Sequence, residues 1–158
     1  MPLNLELKIR VDSHQKMINK LKKMGAEYKG ILIQKDIYYK VKKGLLKLRV
    51  EVETYTLIKY LRDEKGKRWS NYELMKLDGK NQEKYLEGIL DIVTVVAKKR
   101  KLYLYDNTRI HLDDVKNLGK FRELETLLVG AKSDAQKRFN EIVKLLNLDL
   151  SLQIRKSY

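Results

Sequence analysis

Along Asn4-Leu-Glu-Leu-Lys8 a polar side chain recurs every second residue, and the same spacing returns in Arg109, His111 and Asp113 and in Glu123 and Glu125. On an extended strand, residues two apart share a face and stand about 6.5–7 Å apart along the chain, near enough for two carboxylates to hold one hard cation or two neighbouring ones. Like charges so placed repel unless something positive lies among them. The pairs Lys47/Arg49 and Lys98/Arg100, together with Lys59 or Arg62, repeat the spacing with the opposite sign. If all these faces turned inward, a closed barrel would hold a ring of cations able to grip phosphates and a carboxylate cluster able to hold magnesium or manganese. Charges gathered in this way are costly when desolvated, so the arrangement calls for a wide, water-filled lumen and a metal-bound polyanion to occupy it.

The elements that must position these residues follow from period. Leu3, Leu5, Leu7, Ile9 and Val11 alternate with polar residues, which predicts a strand. Asp12 stands three before Gln15 as a capping pair for a helix carrying Met17, Ile18, Leu21 and Met24, with Gly25 as its stop. Strands are expected at 31–41, 45–53 and 55–62, then a hairpin loop over Asp63–Arg68 into a fourth near 68–76. Between Lys80 and Asp91 the residues Tyr85, Leu86, Ile89 and Leu90 fall on one helical face. Strands return over 93–105, 107–113 and 120–129, and a capping box of Ser133 and Gln136 opens a last helix with Phe139, Ile142, Val143 and Leu146 inward. The sum is about eight strands and three helices, an α+β and mainly β chain. No linker divides it, so residues 1–158 read as one domain.

Composition narrows the chemistry. The 158 residues contain no cysteine and two histidines, His14 and His111. That removes disulfides, thiolate zinc sites and cysteine nucleophiles, and argues against a histidine-based metal cluster. Mean hydropathy is -0.52 and no apolar run approaches the length of a membrane span, so a soluble, cytoplasmic protein without an export signal is expected. Thirty-five Lys and Arg against 21 Asp and Glu give a net charge of +14, which favours anionic partners; a lysine-rich thermophile proteome would give the same excess.

Asn4-Leu-Glu6-Leu-Lys8 resembles the Glu-x-Glu-x-Lys signature that opens CYTH proteins, the triphosphate tunnel metalloenzymes. The resemblance runs nearly end to end. Gln34-Lys-Asp36-Ile-Tyr38-Tyr39 is similar to that family's second strand, Leu46-Lys47-Leu48-Arg49 to its basic third strand, and Ala97-Lys98-Lys99-Arg100 to part of its C-terminal half. The longest match is His111-Leu-Asp113-Asp-Val115-Lys-Asn-Leu118-Gly119-Lys-Phe121-Arg-Glu123-Leu-Glu125. One departure stands out: Asn4 occupies the place of the first Glu, keeping an oxygen ligand but removing a charge.

The resemblance implies a closed, eight-stranded antiparallel tunnel with Mg2+ or Mn2+ held by Glu6, Glu123 and Glu125, with Asn4 and Asp113 as further candidates. It implies that Lys8, Lys47, Arg49, Lys98, Arg100 and one of Lys59 and Arg62 bind the substrate, and Arg10 and Arg109 are further candidates for substrate binding. The implied activity is divalent-metal-dependent hydrolysis of tripolyphosphate, a nucleoside triphosphate, thiamine triphosphate or an RNA 5′-triphosphate. Cyclisation of ATP to cyclic AMP and diphosphate is the alternative, and a non-catalytic module binding polyphosphate or RNA is a third. The expected partner is a small triphosphate, not a membrane, with nucleic acid entering only as an RNA 5′-triphosphate and a homodimer as a further candidate. His111 reads as a wall residue, His14 as a solvated residue at a helix start, and Trp69 as packing. Either Tyr38 or Tyr39 faces inward by alternation. Glu73 faces the lumen or a neighbouring cation, and Asp113 either ends a strand or meets metal or a basic side chain.

Overall fold

The computed structural model describes residues 3–62 and 69–154. The expected loop over residues 63–68 lies outside them, as do the side chains of Arg62 and Trp69. Eight antiparallel strands form one sheet: β1 (Leu3–Val11), β2 (Glu27–Tyr39), β3 (Leu45–Val50), β4 (Tyr55–Arg62), β5 (Trp69–Lys76), β6 (Ile92–Tyr105), β7 (Thr108–Val115) and β8 (Gly119–Leu127). Their order is β1-β5-β4-β3-β2-β6-β7-β8, a closed barrel, because β1 pairs with both β5 and β8. Strand β1 runs beside β8 from Asn4 to Val11, and among the described residues it meets β5 through Leu3, Asn4 and Leu5.

The barrel is polar inside and apolar where helices cover its outer wall. Leu5, Leu7 and Ile9 of β1 point out to a core shared with Ile110, Leu112 and Leu124. Two helices cover that core: α1 (Gln15–Lys23) through Met17 and Leu21, and α3 (Lys132–Leu145) through Phe139 and Ile142. Under the short helix α2 (Gln82–Glu87), Leu86 and Leu90 pack on Ile37, Tyr39 and Leu48, while Tyr85 and Ile89 are exposed. Alternation therefore sends Asn4, Glu6 and Lys8 of β1 into the lumen and Leu5, Leu7 and Ile9 into the core.

Both expected capping boxes fail. Helix α1 starts at Gln15 with His14 in the cap position, and the Gln15 amide donates to Ser13 Oγ at 3.2 Å, not to Asp12. Helix α3 starts one residue before Ser133, capped by the backbone of Ala131. Gly25 does end α1, at φ +79°, where a side chain would be strained. After α3 a single 3-10 turn, Leu150–Leu152, brings Gln153 against Ile9 and lets the Ile154 amide donate to the Lys8 carbonyl at 2.7 Å, a closure that the sequence reading did not contain. Among the described residues no helix is long and apolar enough to cross a membrane.

Candidate functional site

The lumen is a cavity of about 370 Å³. One wall is acidic. Register sets Glu6 of β1 beside Glu125 of β8, and Glu125 beside Arg109 of β7; one step along, Lys8, Glu123 and His111 lie side by side. His111 Nδ1 stands 3.5 Å from Glu123 Oε1 and 3.9 Å from Glu125 Oε1. One ligand atom from each of the three residues lies within 4.8 Å of the others. The Arg109 Nε donates to His111 Nε2 at a long 3.4 Å. Asn4, 3% exposed, also lines the cavity, and its Oδ1 is buried without a hydrogen-bond partner.

The opposite wall is basic and is organised by one carboxylate. Asp36 of β2 is fully buried; Arg49 of β3 grips it with both Nε and Nη2, at 2.9 and 2.8 Å. Lys98 of β6 and Lys47 of β3 approach its Oδ2 at 3.0 and 3.1 Å. A second fork joins Arg100 to Asp113, both bonds at 2.8 Å, and its Nη2 also lies 3.6 Å from Glu123 Oε2. Lys47 also lies over the rings of Tyr38 and Tyr60.

Protonation follows from this crowding. Burial works to raise Asp36, but Lys47, Arg49 and Lys98 hold its carboxyl far below the usual range. Burial together with Arg100 and Lys47 pushes Lys98 well down, despite Asp36. Glu123 and Glu125 part company: burial opposes ionisation of both, yet Arg100 and His111 hold Glu123 low, while Glu123 and Glu6 drive Glu125 well above an ordinary carboxyl. Burial, then the Arg100 charge, lowers His111 to about 4, so its ring is neutral at pH 7.

A family model described as the CYTH domain matches residues 2–158. The chain belongs to the CYTH family. A Methanocaldococcus jannaschii protein provisionally named as an adenylate cyclase (MJ0240) is 29% identical over 174 residues, covering 99% of this CYTH chain and 96% of its own. Among solved structures, the PH1012 protein of Pyrococcus horikoshii superposes with a TM-score of 0.82 at 21% identity, over 98% of this chain and 96% of that one. A Hippeastrum protein, provisionally named as an adenylyl cyclase and described as having a dominant triphosphatase activity, matches with a TM-score of 0.65 at 12% identity, over 93% and 88%. Both show a shared fold.

In this CYTH barrel, Asn4, Glu6, Lys8, Lys47, Arg49, Lys98, Arg100, Arg109, Glu123 and Glu125 all line one cavity, as the sequence reading expected. Lys59 does not. On β4 it is Ile58 and Tyr60 that line the lumen, and Lys59 points outward to Glu73 at 3.7 Å, which also removes Glu73 from the cavity. Arg10 leaves it too: β1 has run past the lumen there, and the exposed guanidinium lies over Gly119, 3.4 Å from where a Cβ would stand. Asp113, offered as a metal ligand, is held in the Arg100 fork. His14 is buried, not solvated, and its Nε2 hydrogen-bonds the Asp113 carbonyl at 3.0 Å. His111 is a wall residue, but one facing the carboxylates.

The reading missed Gln34, Glu51, Thr56, Tyr60 and Tyr72, all lumen residues, and the role of Asp36 as anchor of the cations. The signal for Asp36 was its parity with Gln34 and Tyr38 on β2. Tyr38 is the inward tyrosine, with its hydroxyl 3.5 Å from Lys47 Nζ; Tyr39 packs in the outer core.

The donor set fits a divalent cation. His111, Glu123 and Glu125 converge, Glu6 and Asn4 line the same cavity, Asn4 Oδ1 is buried without a partner, and burial with the Glu123 and Glu6 charges outweighs Arg100 in raising Glu125.

Proposed function

We propose that this chain is a divalent-metal-dependent triphosphatase whose substrate enters the barrel as a small linear polyanion. The observation that carries this reading is the division of a single cavity into an acidic wall, Glu6, Glu123 and Glu125, and a basic wall, Lys47, Arg49, Lys98 and Arg100. A lone basic wall would bind anions. A lone acidic wall would bind cations. A polyphosphate carrying a cation needs both, and phosphoryl transfer asks mainly for positioning and charge neutralisation. What a bound Mg2+ or Mn2+ supplies is neutralisation of charge on the phosphate oxygens. Arg49 and Arg100, oriented by their forks on Asp36 and Asp113, bring guanidinium charge to the phosphate oxygens, and Lys47 and Lys98 add point charges from either side. These groups hold the terminal phosphorus open to water, whose attack on tripolyphosphate yields phosphate and diphosphate.

A second reading, adenylyl cyclisation of ATP, has support of its own. Leu32, Ile58, Leu74, Leu127, Tyr60 and Tyr72 give the cavity apolar surface on which a base can rest, and the Methanocaldococcus relative carries a cyclase name. The same fold in the Hippeastrum protein pairs a cyclase name with a dominant triphosphatase activity, so names do not choose between the two.

Purified protein incubated with tripolyphosphate, ATP or thiamine triphosphate, with Mg2+ or Mn2+, should release phosphate and no cyclic AMP. Cyclic AMP with diphosphate as the main products from ATP would replace the first reading by the second. Binding without turnover under every metal would leave only a polyphosphate-binding module.

A further inference from the structure

We infer that His111 is a direct ligand of the divalent cation through Nδ1, and that it biases the site toward first-row transition ions such as Mn2+ over Mg2+. The inference rests on the proposed metal at Glu123 and Glu125 and adds to it a nitrogen ligand and the class of ion.

The ring is 1% exposed, and its Nδ1 makes no hydrogen bond of ordinary length, Glu123 Oε1 standing 3.5 Å away. A buried, unpaired ring nitrogen is costly unless something fills the space before it. The groups before it are two carboxylate oxygens, at 3.5 and 3.9 Å. Those separations are long for hydrogen bonds but close to the ligand-to-ligand edges around an ion bound at about 2.0–2.2 Å. Register makes the grouping rigid: His111 and Glu123 are cross-strand partners, and Glu125 follows on the same face. An imidazole nitrogen favours transition ions, whereas an all-oxygen set suits Mg2+.

Ligation also fixes the tautomer. With Nδ1 on the cation, the ring proton sits on Nε2, which no longer accepts from Arg109 Nε, now 3.4 Å away. Arg109, which lines the same cavity, is then released toward Glu125, its strand partner, or toward a phosphate.

The test is electron spin echo modulation of the full chain loaded with Mn2+, with and without a non-hydrolysable triphosphate analogue. The chain has two histidines, which makes isotope labelling clean. Nitrogen modulation that shifts on 15N-histidine labelling is expected in the wild type and in His14→Gln, and not in His111→Gln. Calorimetry should show His111→Gln losing at least about tenfold in Mn2+ affinity, with Mg2+ affinity changed less. Mn2+ bound in a Glu123- and Glu125-dependent manner but without nitrogen coupling would overturn the His111 assignment and leave the metal reading standing. No Mn2+ binding, or binding indifferent to Glu123→Gln and Glu125→Gln, would overturn both. The labelled wild-type spectrum decides the matter even where a variant fails to fold.

Discussion

Glu123 and Glu125 stand two apart on one strand yet are driven in opposite directions, one held ionised by Arg100 and His111, the other pushed toward its protonated form by two like neighbours. Such a pair gains most from a cation and loses most without one. Glu123→Gln with Glu125→Gln should cost at least about two decades of phosphate release; wild-type rates in that variant would remove these residues from the site. Arg49→Ala should raise KM and lower kcat sharply, and Arg49→Lys should rescue only in part, because a lysine cannot reproduce the two-pronged contact that Arg49 makes with Asp36. Lys59→Ala, altering a cation on the outer wall, should leave kinetics unchanged. Asn4→Asp should tighten divalent-cation binding several-fold by calorimetry, since a buried, unpartnered oxygen beside Glu6 gains a charge. Unaltered affinity would place position 4 beyond the cation's reach.

At the scale of elements, Asp36 is a joint: through one carboxylate, β2 holds side chains from β3 and β6. Asp36→Asn leaves Lys47, Arg49 and Lys98 facing one another, which predicts a loss of about 3–5 kcal/mol in chemical denaturation at low salt. Tripolyphosphate should restore much of it by taking the carboxylate's place; a variant as stable as wild type without anion would show that the cations need no anchor. Strand parity was legible in the sequence because one face of each strand is charged and the other apolar, and it placed ten of the expected residues in a single cavity. Where each strand enters and leaves the lumen was not legible, since that depends on barrel tilt, and so Arg10 was wrongly included. Lys59 failed for the opposite reason: its strand carries apolar and aromatic residues inward, reversing the usual sign of the pattern. The caps failed because Ser13 and the Ala131 backbone compete locally for the same amides. His14 looked exposed by its place at a helix start, and only tertiary packing on β7 buries it.

For the molecule as a whole, the lumen does not hold the excess charge. Its six cations, Lys8, Lys47, Arg49, Lys98, Arg100 and Arg109, meet four lining carboxylates plus Asp36 and Asp113, so the +14 lies elsewhere on the chain. Association with a triphosphate should slow as ionic strength rises, measured by stopped-flow, as a long-range field demands. Stability carries a pH signature as well. The unfolded chain protonates His111 near 6.5 and the folded barrel only near 4, so this residue costs folding free energy as pH falls through that window, roughly 3 kcal/mol at the limit. The raised Glu125 acts in the opposite sense, binding its proton more readily when folded, so the His111 contribution is read as a difference. In chelator, His111→Gln should gain stability relative to wild type between pH 7 and pH 4; a constant difference would mean the ring is not held neutral. The pairing of the first strand with the eighth bears finally on how the chain is made. Strand β1 is made before the other seven strands, yet its partner along Asn4–Val11 is β8, the last of the eight. Until β8 is made, β1 lacks its partner along Asn4–Val11, and the core face of Leu5, Leu7 and Ile9 lacks Leu124. The barrel therefore closes only after β8 has been made, and nascent chains arrested before residue 119 should expose β1 to protease, while chains carrying all eight strands should not.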